Sequence, residues 1–318
     1  MNLDVILIEN TLQVLLAGIV VGAVYGLMCV GLALIFSVMR VINFAQGEFL
    51  MLGMYAALLV FTYVGAALGP YLGPVISALA AGVAVYGFAL VLHPLLLKRI
   101  SGTRVAGTDG EGHHQQLVLT LGLSLVLSNG ALLLFGSSAQ SVQTPLSSSA
   151  WEIGPLIGAD VTLFLNKARA VSFAVVLCVV AAVALLIGST WIGKTLRAAA
   201  DNAEAAIYMG IDVARAHRFA FAIGAGVTAV AGGLLASSYP FQPYVGVEFV
   251  VIMYAGVVLG GMGSISGAFW GGLTIGLVQQ MSTLVLPVQL QNAAIFAVFL
   301  LILILRPQGL FGRSTDRA

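Results

Sequence analysis

Charge is what this chain has least of: 8% of its 318 residues are Asp, Glu, Lys or Arg, against roughly 25% in ordinary soluble domains. That scarcity excludes a water-soluble globule. A formal net charge of +1, with no basic run on an amphipathic stretch, excludes the electrostatic footprint of a nucleic-acid binder. Cysteine is nearly absent. Cys29 and Cys178 lie in apolar runs without CxxC or metal-ligand spacing, so they read as small buried hydrophobes and give no disulfide framework. His113 and His114 have no Cys or further His at ligand spacing, and His93 and His217 fall at the ends of apolar runs, so no metal site is assigned. The chain lacks HExxH and GxSxG signatures, and the glycine-rich run 260–267 lacks the lysine of a phosphate loop. No catalytic residue is assigned and no cofactor is expected in this chain. The N-terminus carries Asp4 and Glu9 instead of a basic region, and the apolar stretch behind them is too long for a signal peptide. It reads as a retained transmembrane helix.

What the chain does have is apolar length: 60% of its residues are hydrophobic and its mean hydropathy is +1.07. About 20 apolar residues in a helix cross a bilayer, and runs of that kind fall near 11–38, 49–69, 73–97, 117–136, 170–192, 218–238, 248–262, 268–286 and 290–305. The predicted fold is therefore all-α: a polytopic transmembrane helical protein of about eight to nine membrane segments. The runs 49–69 and 248–262 are candidates for half-membrane helices. No loop is long enough for a separate soluble domain, so residues 1–318 form a single transmembrane domain. With the N-terminus outside, alternation puts Arg40, Lys98, Arg99, Arg104, Lys194, Arg197, Arg215, Arg218, Arg306, Arg313 and Arg317 on one side and only Lys167 and Arg169 on the other. The basic side is the cytoplasmic one, so the C-terminus is cytoplasmic and 137–169 faces outward. Gly18, Gly22 and Gly26, then Gly256 with Gly260, Gly263 with Gly267 and Gly271, and Gly272 with Gly276, recur at helical spacing. They predict faces on which helix backbones approach closely.

One charged island interrupts this apolar chain. Residues 193–218 hold seven of its 13 basic and 12 acidic residues. On a helix, Lys194, Arg197, Asp201, Glu204 and Tyr208 fall on one face, and Leu196, Ala199, Ala203, Ala206 and Ile207 on an adjacent apolar one. Gly210 suits the left-handed residue that ends a helix, and Asp212 suits the cap of the next. The island is expected to be a helix-turn-helix elbow offered to a partner in water, the alternative being a solvated interfacial loop.

Within it, Glu204-Ala205-Ala206, three residues and Gly210 resemble the EAA signature of bacterial ABC importer permeases. Three further stretches narrow the likeness: Asn43-Phe44-Ala45-Gln46-Gly47-Glu48-Phe49 with Met51-Leu52-Gly53, Leu259-Gly260-Gly261-Met262-Gly263-Ser264-Ile265-Ser266-Gly267-Ala268, and Arg306-Pro307-Gln308-Gly309-Leu310-Phe311-Gly312. In order and over nearly the whole chain, they resemble the LivH branch of the branched-chain amino acid permeases. The resemblance implies a bacterial inner-membrane importer with a LivM-like second permease, two LivG/LivF-like ATPase subunits that bind ATP and Mg, and a periplasmic substrate-binding protein. It implies that Arg197, Asp201, Glu204, Ala205, Ala206, Gly210 and Ile211 couple to the ATPases.

Asn43, Gln46 and Glu48, with Gly47, are expected at the cytoplasmic boundary between the first two spans, as part of a gate. Glu48 equally suits the positive end of the second span with Asn43 as its cap. Gly260, Gly261, Gly263 and Ser264 are expected to permit a tight turn or irregular backbone at the permease centre. Glu248 is a candidate contact for the ammonium group of an arriving amino acid, or a simple interfacial charge. The substrate stays open among branched-chain and other neutral amino acids, urea, short amides and aromatic acids. A self-sufficient secondary transporter or channel is the alternative, and it would normally need an intramembrane ion site.

Overall fold

Every one of the nine apolar runs becomes helix. The computed structural model describes residues 3–97, 111–156, 161–306 and 308–311; Lys98, Arg99, Arg104, Pro307, Gly312, Arg313 and Arg317 lie outside them. The helices are α1 (Leu3–Met39), α2 (Gln46–Tyr63), α3 (Gly69–Leu92), α4 (Glu111–Phe135), α5 (Lys167–Ser189), α6 (Trp191–Asp201), α7 (Ala203–Tyr208), α8 (Val213–Leu235), α9 (Val245–Gly260), α10 (Ile265–Ser282) and α11 (Gln291–Leu305). Five of them, α1, α3, α4, α5 and α8, are long and apolar enough to cross a bilayer alone, and α9 with α10, bent by 120° at their junction, adds at most one crossing. The segments are thus of unequal kind: five are complete passages by length and composition, and α2, α9, α10 and α11 are shorter pieces of 15 to 18 residues.

The bundle is held by backbone contact at small residues. Helices α1 and α10 run antiparallel: a Cβ on Gly22 would stand 2.6 Å from the Leu273 carbonyl oxygen, one on Gly26 2.7 Å from the Phe269 carbonyl oxygen, and one on Gly272 2.6 Å from the Gly26 nitrogen. The glycine spacing in the sequence therefore serves packing within this chain. Helix α8 is the central post, buried almost continuously from Ala220 to Leu235, with α1, α2 and α3 around it. Its small residues admit each neighbour, as where Gly53 of α2 meets the Ala229 backbone and Gly233 meets Ala78 of α3. In lipid, where apolar surface gains little by leaving the solvent, such dispersion contacts carry helix association.

One departure from the all-helical expectation is an antiparallel hairpin of β1 (Ala150–Leu156) and β2 (Val161–Asn166). Helix α1, at about 55 Å, is much longer than a roughly 30 Å hydrocarbon core, and its extra length supports the hairpin. The Gln13 side chain donates to the Phe164 carbonyl at 2.7 Å and accepts from its N–H at 2.9 Å, satisfying one edge position as a strand would. Cys29 is buried, but Cys178 is exposed on α5, against the expectation for both.

The glycine contacts set a stability test. Gly276→Val, whose added atoms meet the Gly22 backbone, should destabilise the protein by about 1–3 kcal/mol, read as a lower thermal unfolding midpoint in detergent. Gly87→Ala, inside α3 where a Cβ meets nothing within 4 Å, should leave the midpoint unchanged or raise it slightly.

Candidate functional site

Asn43, Gln46 and Glu48 do not lie at the end of the bundle. The chain leaves α1 at Arg40, in a left-handed conformation with φ 51°, and α2 begins well inside. Gln46 donates to the Thr228 hydroxyl at 2.6 Å and to the Gly224 carbonyl at 3.3 Å, about halfway along α8. The expectation of a boundary position fails because the chain turns back into the bundle after α1, so that α2 starts beside the middle of α8. Asn43 is also not its cap. The cap position is Ala45, without a side-chain bond, and the Asn43 amide oxygen accepts from Ala45 N–H at 3.2 Å while its nitrogen donates to Gln46 Oε1 at 3.1 Å.

These three residues form a buried polar cluster, each at most 1% exposed. Ser124 of α4 donates to Glu48 Oε1 at 3.0 Å, and Thr120 accepts from the Phe44 N–H at 3.3 Å. Glu48 Oε2 has no hydrogen-bond partner among the described residues. Its carboxyl group instead lies against Gly246, where a Cβ would stand 2.7 Å from Oε2, and Gly47 meets the Gly246 backbone directly. The starts of α2 and α9 therefore converge on one buried carboxyl group. Two half-helix N-termini are a positive environment suited to a carboxylate or a passing polar solute. Thr228, Ser124 and Gly246 were not singled out from the sequence; the available signal was a lone hydroxyl in an otherwise apolar span.

Gly260, Gly261, Gly263 and Ser264 lie elsewhere, at the end of the bundle where α1 stops. They make the turn that bends α9 back into α10: Gly261 and Gly263 have φ of 101° and 96°, and the Ser264 hydroxyl caps α10 by accepting from Gly267 N–H at 3.0 Å. The tight turn is as expected, but its place at the permease centre is not, because α9 has by then descended the remaining depth. The C-terminal motif closes this turn. Leu310 N–H donates to the Leu259 carbonyl at 2.8 Å and Phe311 N–H to the Gly260 carbonyl at 3.3 Å, satisfying the last carbonyls of α9.

The elbow is a helix, a break and a short helix. Asn202 ends α6 and caps α7 by accepting from Ala205 N–H at 3.0 Å. Gly210, with φ 78°, ends α7 in a Schellman arrangement, Ile211 N–H bonding Ala206 O at 2.9 Å and Gly210 N–H bonding Ile207 O at 2.9 Å. Asp212 caps α8 through Arg215 N–H at 3.0 Å and pairs with the Arg215 guanidinium at 2.9 Å. Leu196 and Ala199 pack with Val38 of α1 and Ala216 and Ala220 of α8, and Arg40 donates to the Ala200 carbonyl at 3.3 Å. Ile207 is not on the apolar face expected of it. The break at Asn202 resets the helical phase, so Ala206 is buried while Ile207, Tyr208 and Met209 are 59%, 88% and 82% exposed. Arg197, Asp201, Glu204 and Ala205 are exposed and Ile211 is half-buried. Glu248 is exposed near the start of α9, where it accepts from the Tyr239 hydroxyl at 3.4 Å.

Comparison with known proteins follows the same lines. A family model described as branched-chain amino acid transport system / permease component matches residues 14–305. The high-affinity branched-chain amino acid transport system permease protein LivH of Salmonella typhimurium is 28% identical over 313 residues, 95% of this chain and 96% of its own. The corresponding BraD of Pseudomonas aeruginosa is 29% identical, over 96% of this chain and 97% of its own. A probable LivH of Methanocaldococcus jannaschii is 30% identical, over 81% of this chain and 76% of its own. No solved structure matches the chain.

The polar cluster makes a prediction of its own. Thr228→Val keeps the side-chain shape but removes the acceptor of a buried amide, and should cost about 1–3 kcal/mol. Thermal unfolding in detergent should show a lowered midpoint for Thr228→Val and a near-native one for Thr228→Ser; equal midpoints would contradict the bond's importance.

Proposed function

The chain belongs to the branched-chain amino acid transport system permease component family, and on that premise we propose that it is one of two permease subunits in a binding-protein-dependent importer for branched-chain or other neutral amino acids. A multi-pass membrane protein of this kind supplies the route. Partner ATPases, which bind ATP and Mg, supply the energy, and a periplasmic binding protein delivers the solute. The observation that carries this reading is the elbow. Helix α6 is fastened to α1 and α8 by Leu196, Ala199 and Arg40, whereas α7 offers an unpartnered knob of Ile207, Tyr208 and Met209 beside Glu204. A rigid base with an exposed apolar tip suits docking in a cleft of another subunit. Six of the eight described Lys and Arg residues, Arg40, Lys194, Arg197, Arg215, Arg218 and Arg306, belong to this end of the bundle, which supports a cytoplasmic elbow and C-terminus in the plasma membrane.

The elbow connects to the polar cluster over a short length of chain. A pull on α7 moves α6 and, through the Arg40–Ala200 bond, the end of α1; three residues later the chain enters the cluster at Asn43. Displacing that segment separates the starts of α2 and α9 and opens the buried position of Glu48 to a solute. The near-complete burial of Asn43, Gln46 and Glu48 supports reading this arrangement as the closed state of such a gate. Gly47 and Gly246 allow the closure, because a side chain on either would hold the helices apart.

Two measurements test this. In the complex reconstituted with its ATPases and binding protein, Glu204→Lys and Gly210→Val should each bring solute-stimulated ATP hydrolysis down to the basal rate while the permease still inserts. A β-branched residue at the positive φ of Gly210 costs about 1–2 kcal/mol. Retained stimulation in both variants would remove the elbow from the mechanism. Glu48→Gln should lower ATP-driven uptake without preventing assembly; unchanged uptake would retire the gate.

A further inference from the structure

A second polar locus lies towards the opposite end of the bundle from the elbow, between that end and the central cluster. Val20 and Val24 of α1, Leu235 at the end of α8, Arg169 at the start of α5, Tyr239 and Gln279 line a cavity of about 190 Å³. This is smaller than the roughly 300 Å³ at which drug-sized pockets begin, and it suits a solute of few heavy atoms. Its lining is mixed, valine and leucine side chains standing with Arg169, Tyr239 and Gln279. The rings of two lining residues, Tyr25 and Tyr239, pack edge-on against Phe249 at 6.0 and 5.6 Å.

Three observations mark this cavity as built for a ligand. Arg169, whose backbone is fixed by the Asn166 cap at 3.2 Å, faces it without an ion-pair partner among the described residues, where Arg215 with Asp212 is the one recorded pair. Gln279 Oε1 is buried with no hydrogen-bond partner among the described residues. Opposite charge stands at the other side of Tyr239: Glu248 accepts from its hydroxyl at 3.4 Å. An unpaired guanidinium in a partly apolar setting favours a ligand that brings an anion, and an orphaned acceptor favours one that brings a donor.

We propose that this cavity is a binding station for an aliphatic α-amino acid within the permease itself, the carboxylate on Arg169, the ammonium towards Gln279 Oε1 and Glu248, and the branched side chain against Val20, Val24 and Leu235. The proposal rests on the importer reading and adds to it a point where this subunit checks both charges of the solute after the binding protein has released it. Glu248, which accepts from the cavity-lining Tyr239, is two residues beyond Gly246, which rests on Glu48 at the central cluster.

The test is equilibrium binding of radiolabelled L-leucine to the assembled permease–ATPase complex in lipid nanodiscs, with the binding protein omitted. Saturable binding is expected, displaced by unlabelled L-isoleucine but not by 3-methylbutylamine or 4-methylpentanoate, each of which lacks one of the two charges. Arg169→Gln should weaken binding on the order of tenfold or more, and Arg169→Lys should recover part of the loss. No saturable binding to the unaltered complex, equal displacement by the singly charged analogues, or undiminished affinity in Arg169→Gln overturns the station. ATP-driven uptake by the complete system in the same lipid separates the two readings. Uptake without binding overturns the station and leaves the importer standing, whereas no uptake of any neutral amino acid overturns both.

Discussion

Backbone-to-backbone contact at glycine and alanine is the constraint from which the rest of this architecture follows. Lipid gives apolar helices little reason to leave it, so association depends on how closely main chains approach. In α1 and α10 the approach is close enough that a methyl group at Gly22, Gly26, Gly272 or Gly276 would overlap the facing helix. The same economy of side chains lets α8 stand at the centre with three helices around it. Helices α4, α5 and α11, which have fewer such contacts, carry large exposed apolar residues, among them Leu133, Leu185 and Ile304. Those surfaces suit lipid.

A tightly packed post and rod also make helices that begin inside the bundle tolerable. An α-helix that starts inside a membrane leaves its first N–H groups without helical partners, and such a terminus is stable only where protein supplies acceptors. Around the start of α2 the acceptors are the Asn43 carbonyl for Gln46 N–H and the Ala45 carbonyl for Glu48 and Phe49 N–H, with the Asn43 amide oxygen on Ala45 N–H, and the Gln46 and Glu48 side chains are held in turn by Asn43, Thr228 and Ser124. The cluster thus has a structural reason to be polar, and on the importer reading it also has a functional one. On that reading the same residues that meet a buried helix start also line the narrow point of the proposed route.

Helix α1 ties the regions together. At one extremity its Gln13 holds the hairpin, along its length its glycines hold α10, and at its end Val38 and Arg40 hold the elbow. Motifs far apart in the chain meet for the same reason. The glycine turn at Gly260 and Gly261 is completed by Gly309, Leu310 and Phe311, so two stretches that looked independent make one structural unit. The bend between α9 and α10 needs its exposed carbonyls satisfied, and the tail is the nearest source of N–H groups.

By itself the sequence determined the membrane setting, the nine helical segments, the glycine-lined faces and the caps of the elbow. Each of these depends on local composition or on spacing within one helix, as at Gly210 and Asp212. Tertiary structure alone decided depth and partnership: that Asn43, Gln46 and Glu48 sit at mid-bundle, that Thr228 and Ser124 complete them, that Ile207 faces solvent, and that Arg169, Tyr239 and Gln279 share a cavity. The hairpin also escaped a reading guided by helical length, since its short strands carry too few residues to announce themselves beside twenty-residue apolar runs. Periodicity shows which face of a helix is apolar, but not the level at which a helix begins. That level is set by which backbones can touch, a property of the assembled helices.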